Sequence, residues 1–245
     1  MTINDGTVRQ GNTNALTNSS TGGTATSNLI FGSGTTAKFQ LNNFDAKVTS
    51  LVSSNTNAIV ENGAAGTKTL TVYNGDDNTF AGKLQNGSAG VLALAKTGGG
   101  TLTLTNTNTY TGTTTVTGGT LQVGSSGAGT TGTGAVTVQT GASILGTGTV
   151  KGSTFTAQSG STVYAGDGTA QTNYGTLSFT PVSGSGSFIF ESGSSTSLGI
   201  NPGGAGDLLS FNGLSAGTLN FNGNLAVTAS GYIPTSVDIF NLVDW

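Results

Sequence analysis

TLTLT, Thr101–Thr105, decides the fold: Leu102 and Leu104 take one side of an extended chain, and Thr101, Thr103 and Thr105 take the other. Strict alternation of this kind is a half-buried strand. The pattern recurs in TTTVT around Val116, TLQV with Leu121 and Val123, AVTV with Val136 and Val138, and TLSF with Leu177 and Phe179. Threonine and valine suit such runs because branching at Cβ restricts χ1 to rotamers that a pleated surface accommodates. Glycine clusters such as NGDDN (74–78), GSSGAG (124–129) and GDG (166–168) separate the runs and read as turns. No segment of a dozen residues repeats apolar positions at intervals of three and four, so the chain is all-β.

A longer interval lies above the alternation. TVTGG (Thr115–Gly119), TVQTG (Thr137–Gly141) and TAQSG (Thr156–Gly160) share one pattern, with 22 and then 19 residues between successive threonines, and TINDG (Thr2–Gly6) matches it at the far end. A period near 20 with short strands and glycine turns predicts a β-solenoid whose coils stack in parallel sheets. One coil cannot bury its own apolar face, so each rung relies on its neighbours. Winding the whole chain this way gives roughly a dozen coils at ~4.8 Å, a rod of about 60 Å. A β-sandwich is the alternative that closely spaced turns also allow.

Composition narrows the function. The chain has 245 residues, one large domain or two small ones, with 42 glycines and only 7% charged residues, against roughly 25% in an ordinary soluble domain. With no histidine and no cysteine, imidazole and thiolate sites and disulfides are excluded. Net charge is −3, and Arg9 and the six lysines are scattered, so no basic face exists for nucleic acid. No run approaches the ~20 apolar residues of a membrane-spanning helix. Between Lys96 and Lys151 there is no Asp, Glu, Lys or Arg, and the surface there is expected to be neutral and hydroxyl-rich. A flexible Gly/Ser/Thr linker shares this composition but not its periodicity.

Composition shifts near Tyr174. All three prolines (Pro181, Pro202, Pro234) and seven of the eleven phenylalanines lie from Phe155 onward, with aromatic runs GSFIFE, DLLSFN and VDIFNLV. The expected organisation is a β-solenoid over 1–173 and a β region over 174–245 that continues or caps it. Met1 leads straight into TINDGTVRQG without the basic and apolar regions of a signal peptide, so the chain reads as cut from a longer protein.

KTGGGTLTLTNTNTYTGTTTVTGGTL, residues 96–121, resembles the autotransporter-associated β-strand repeat of bacterial passenger regions. The residues that carry the likeness are Lys96, Gly98, Gly100, Thr101, Leu102 and Leu104, then Asn108, Tyr110, Gly112, Thr114, Val116, Gly119, Thr120 and Leu121. NTFAGKLQNG (Asn78–Gly87) and the run from Ala135 to Gly168 are similar to what surrounds that repeat. The resemblance implies a right-handed parallel β-helix, exported across a Gram-negative envelope and displayed at or released from the cell surface. It also implies that the repeat assists export and folding rather than forming a binding site. No membrane β-barrel follows within the chain, which ends at Trp245, and a cysteine-free chain suits export in an unfolded state.

Sites for chemistry are few. Asp76 and Asp77 are the only adjacent acids, and paired carboxylates serve glycosidic cleavage, but in a loop this pair reads as a turn. Asp167 and Asp207 lie beside glycines but lack the tandem spacing of calcium nonapeptides. Gly98–Gly100 and Gly127–Gly132 lack the lysine and the helix of a phosphate loop, and serine nucleophiles lack a histidine base. Tyr110, Tyr164 and Tyr174 could stack on sugars, and core or edge packing is the favoured reading. The expectation is therefore no catalytic, cofactor or metal residue, and a non-enzymatic stalk or fibre segment that self-associates end to end. An adhesin for surface glycans is the alternative, with a polysaccharide-degrading enzyme behind it.

Overall fold

The computed structural model describes residues 1–12, 16, 27–167, 174–181, 186–200, 206–212, 217–229 and 243–244. Pro202, Pro234, Gly168 and most of VDIFNLV lie outside them. Every strand pairing among the described residues is parallel, so the sandwich alternative fails and the fold is a right-handed parallel β-helix, the hand that parallel crossovers take. The coils present three faces. One is a ten-stranded sheet running from Thr2–Ile3 through Thr101–Leu104 to Asn224–Ala229, and the second is an eight-stranded sheet from Ala46–Val48 to Thr218–Phe221. The third face is two four-stranded sheets, one ending at Lys83–Asn86 and the other starting at Thr149–Val150.

The coil period read from threonines is the register of the second face: Thr115 pairs with Thr137 and Thr137 with Thr156. TINDG is the exception. Thr2 pairs with Ile30 on the ten-stranded face, because a Thr-x-apolar strand followed by a glycine turn describes a strand on either face. Among the described residues the ten strands stack to roughly 43 Å, and some coils are longer than the period near 20: Thr162 pairs with Ser195, 33 residues on. The strands after Tyr174 join the same sheets as those before it, Ser187–Phe190 beside Thr154–Ala157 and Ser195–Ile200 beside Thr162–Tyr164.

Alternation places the core. Leu102, Leu121, Ile144 and Val163 form one inward column over successive coils, all fully buried, each worth about 1.5–3 kcal/mol of apolar transfer. Toward the C-terminus the columns become aromatic. Phe179 lies 4.8 Å from Phe155 and 4.9 Å from Phe211, and Phe190 lies 4.7 Å from Phe221, which fills the wider coils. Outward threonines are not all exposed: Thr103 is buried under Gln122 of the next coil, to which its hydroxyl donates at 3.0 Å.

Candidate functional site

One inward column of the eight-stranded face runs Val48, Val72, Lys96, Val116, Val138 and Ala157. A lysine thus occupies a valine position, and its side chain is completely buried. It survives there because it is the last inward residue of its strand, Gly90–Thr97, beside a corner. The ammonium turns into that corner and donates to the carbonyls of Thr97 (3.0 Å) and Gly98 (3.0 Å) on its own coil and Gly118 (3.1 Å) on the next. Three donors meet three acceptors, which offsets the cost of burying the charge. Burial pushes its pKa down to about 8, with the Asp77 carboxylate pulling the other way.

Glycine makes the cage possible. Gly98 has φ +80° and Gly119 φ +61°; a β-carbon at Gly98 would overlap the Asn74 carbonyl, and one at Gly119 the Gly98 carbonyl. Beneath them Asn74, also fully buried, donates from Nδ2 to the Asp76 and Thr101 carbonyls, both at 2.8 Å. Asp77 Oδ1 accepts the Thr101 N–H at 2.7 Å. Hydrogen bonds from the Thr101 backbone and hydroxyl hold the Asp77 carboxyl below its ordinary range.

The third face is interrupted between Asn86 and Thr149, and here side chains reinforce the few backbone bonds that remain, such as the Thr109 N–H to the Leu84 carbonyl at 2.9 Å. Asn108 Oδ1 accepts the Leu84 N–H at 2.8 Å, and its Nδ2 donates to the Thr130 carbonyl at 2.6 Å. Thr130 Oγ1 accepts the Asn108 N–H at 2.9 Å, and Thr131 Oγ1 the Lys151 N–H at 2.9 Å. Asn108 therefore behaves as an extra peptide unit joining three coils, which keeps its neighbours' buried backbone groups paired. Tyr110 is fully buried with its hydroxyl 2.6 Å from that of Thr114, itself an inward residue on the eight-stranded face. Burial raises the Tyr110 pKa against the hydrogen bond from Thr114.

The other sites expected from sequence separate as follows. Asp76 and Asp77 lie in a turn, and Asp77 is engaged by the next strand. Gly98–Gly100 is a bend between strands, and Gly127–Gly132 runs from a bend at Gly127 onto the third face, where Thr130 bridges Thr149. Asp207 accepts the N–H groups of Gly175 (2.9 Å) and Gly199 (2.7 Å). Burial raises its pKa against those two bonds, and Asp167 adds like-charge repulsion. Of the tyrosines, Tyr110 is core, whereas Tyr164 and Tyr174 are half-buried. Sequence reasoning placed Lys96 and Asn108 in the motif but gave them no role. For Lys96 the signal was present in VLALAKT, whose alternation sets Leu92, Leu94 and Lys96 on the same side.

A further polar cluster lies on the N-terminal part of the third face. Arg9, Gln40, Glu61 and Gln85 stack in register over four coils. Glu61 accepts from Gln40, from Gln85 at 2.8 Å and from Lys38 at 3.2 Å. Burial opposes its ionisation, but these bonds and the Lys38 charge hold its pKa below the ordinary value.

Among the described residues no three potential metal-ligating side chains cluster, and the buried Lys96, Asn108, Tyr110 and Thr114 side chains are all paired with one another or with backbone. No curated protein and no solved structure matches the chain. Residues 94–123 match the family described as passenger-associated-transport-repeat, and the lysine cage, the asparagine bridge and the Tyr110–Thr114 bond all lie within this matched stretch or anchor on it.

Proposed function

We propose that the chain is a non-enzymatic segment of an exported bacterial passenger, a β-solenoid stalk or fibre element at the cell surface. The observation that supports this most directly is the use made of the repeat's characteristic residues. Lys96, Leu102, Leu104, Asn108, Tyr110, Val116 and Leu121 are all buried, and Gly98 and Gly119 fit against neighbouring backbone. A motif whose members are consumed in joining one coil to the next serves length and register. Of the two adjacent acids that paired-carboxylate chemistry would need, Asp77 is engaged by the Thr101 N–H of the next coil, which supports a non-catalytic reading.

Two extensions rest on the same scaffold: end-to-end association with further copies, and contact with surface glycans along the neutral outward columns such as Thr115, Thr137 and Thr156. Electron microscopy of the purified chain across a concentration series tests the stalk. Isolated short rods support it, filaments that lengthen with concentration add self-association, and compact globular particles overturn it. Antibodies raised against the folded chain should label intact cells of the source bacterium; labelling only after lysis overturns the surface location.

A further inference from the structure

The described residues contain four complete Asn-Gly steps: Asn62–Gly63, Asn74–Gly75, Asn86–Gly87 and Asn222–Gly223; a fifth, Asn212–Gly213, extends outside them. Asparagine before glycine is the sequence most open to intramolecular attack of the following backbone nitrogen on the side-chain amide, since glycine has no β-carbon to hinder it. Whether a given step reacts depends on how the fold holds it.

Three of the four are restrained. Asn62 is fully buried, donates to the Gly66 (2.8 Å) and Val91 (3.3 Å) carbonyls and accepts from the Asn43 N–H at 3.1 Å. Asn74 is fully buried and donates twice. Asn86 is half-buried, donates to Thr111 Oγ1 at 2.8 Å and accepts from the Leu92 and Thr111 N–H groups, while the Gly87 N–H is engaged by the Gly90 carbonyl at 3.2 Å. Asn222 differs. It is exposed, and among the described residues its side-chain amide bonds only to Asn220 Oδ1 at 2.9 Å, another exposed side chain. The fold nevertheless requires glycine at 223, because a β-carbon there would overlap Ser194 Oγ.

We infer that Asn222–Gly223 is a site of spontaneous deamidation. The Gly223 backbone nitrogen, having lost its proton to hydroxide, bonds to Cγ of Asn222. The Cγ–Nδ2 bond breaks, and Nδ2 leaves as ammonia after taking a proton from water. Water then opens the resulting cyclic imide at either carbonyl, giving aspartate or isoaspartate. Phe190 pairs with Phe221 on the preceding coil, so the next residues, Glu191 and Asn222, share a rung position. The reaction adds a negative charge one rung, about 4.8 Å along the stack, from the backbone position of Glu191, whose own carboxylate accepts the Ser159 N–H at 3.1 Å. The C-terminal coil thereby loosens with age.

The test incubates the full folded chain in mildly alkaline buffer and follows each step by mass spectrometry of its proteolytic peptides, with the urea-unfolded chain as reference. In the unfolded chain all four steps should react. In the folded chain Asn222 should convert at least roughly tenfold faster than Asn62, Asn74 and Asn86, and Asn222→Gln should remove the signal. Equal folded rates at all four steps, or an Asn222 amide that persists like the other three, overturn the assignment. For the consequence, an Asn222→Asp chain should exchange amide hydrogens across 218–229 faster than the native chain, more so at low salt; unchanged exchange overturns the loosening.

Discussion

Lys96 and Gly118 stand on consecutive coils, and the buried ammonium of the first donates to the carbonyl of the second at 3.1 Å. This single bond makes a titratable group part of the joint between rungs. With its pKa at about 8 in the folded chain against 10.5 ordinarily, the unfolded chain holds a proton between those values that the folded chain has lost. Stability should therefore rise with pH across that window, by about 3 kcal/mol in total. Urea midpoints measured from pH 7 to 11 would check the rise, and Lys96→Met should flatten it. At pH 7 Lys96→Met leaves three carbonyls without their donor and should lower stability by about 1–3 kcal/mol.

Asn108 is expected to matter more than its size suggests. Asn108→Ala strips a partner from the Leu84 N–H and the Thr130 carbonyl at once, and should cost about 2–5 kcal/mol. Thr107→Ala, next door on the exposed side, should stay within about 0.5 kcal/mol. Equal denaturation midpoints for the two variants would remove the claim that the Asn108 amide reinforces the interrupted face.

Phe179 packs against Phe155, Phe188, Phe190 and Phe211. Phe179→Ala should cost about 3–5 kcal/mol. In a stack whose coils touch only their neighbours the damage should stay local. Hydrogen exchange should accelerate across 176–211 and remain near native values across 28–104.

Glu61 contributes to the acid stability of the N-terminal coils. Its folded pKa is held below 4.5, so its contribution is complete above that value and is lost as pH falls through the folded pKa. Glu61→Gln should be less stable than the native chain at pH 7 and should lose less on acidification, a crossing visible in thermal melts at pH 7 and pH 3.

The all-β class, the parallel coils and part of the register were legible because they rest on local signals: the alternation at Thr101–Thr105 and the spacing from Thr115 to Thr137 to Thr156. Tyr110 in the core was legible as well. The misplacement of Thr2 follows from a unit that encodes strand and turn but not which of three faces the strand joins. The asparagine bridge was hidden for another reason. Asn108 meets Leu84 and Thr130, 24 and 22 residues away, and nothing local distinguishes it from the half-buried Asn106 and the exposed Thr107 beside it. Its role exists only once the gap in the third face is known.

The unequal coils carry one last consequence. Ser143 to Thr162 closes a turn in 19 residues and Thr162 to Ser195 in 33, yet each adds the same single rung to the ten-stranded face. The extra residues fall between the paired strands rather than adding strands to the face. The molecule is thus a ruler graduated in whole windings of about 4.8 Å: lengthening a corner changes its girth, and only the gain or loss of an entire winding changes its reach.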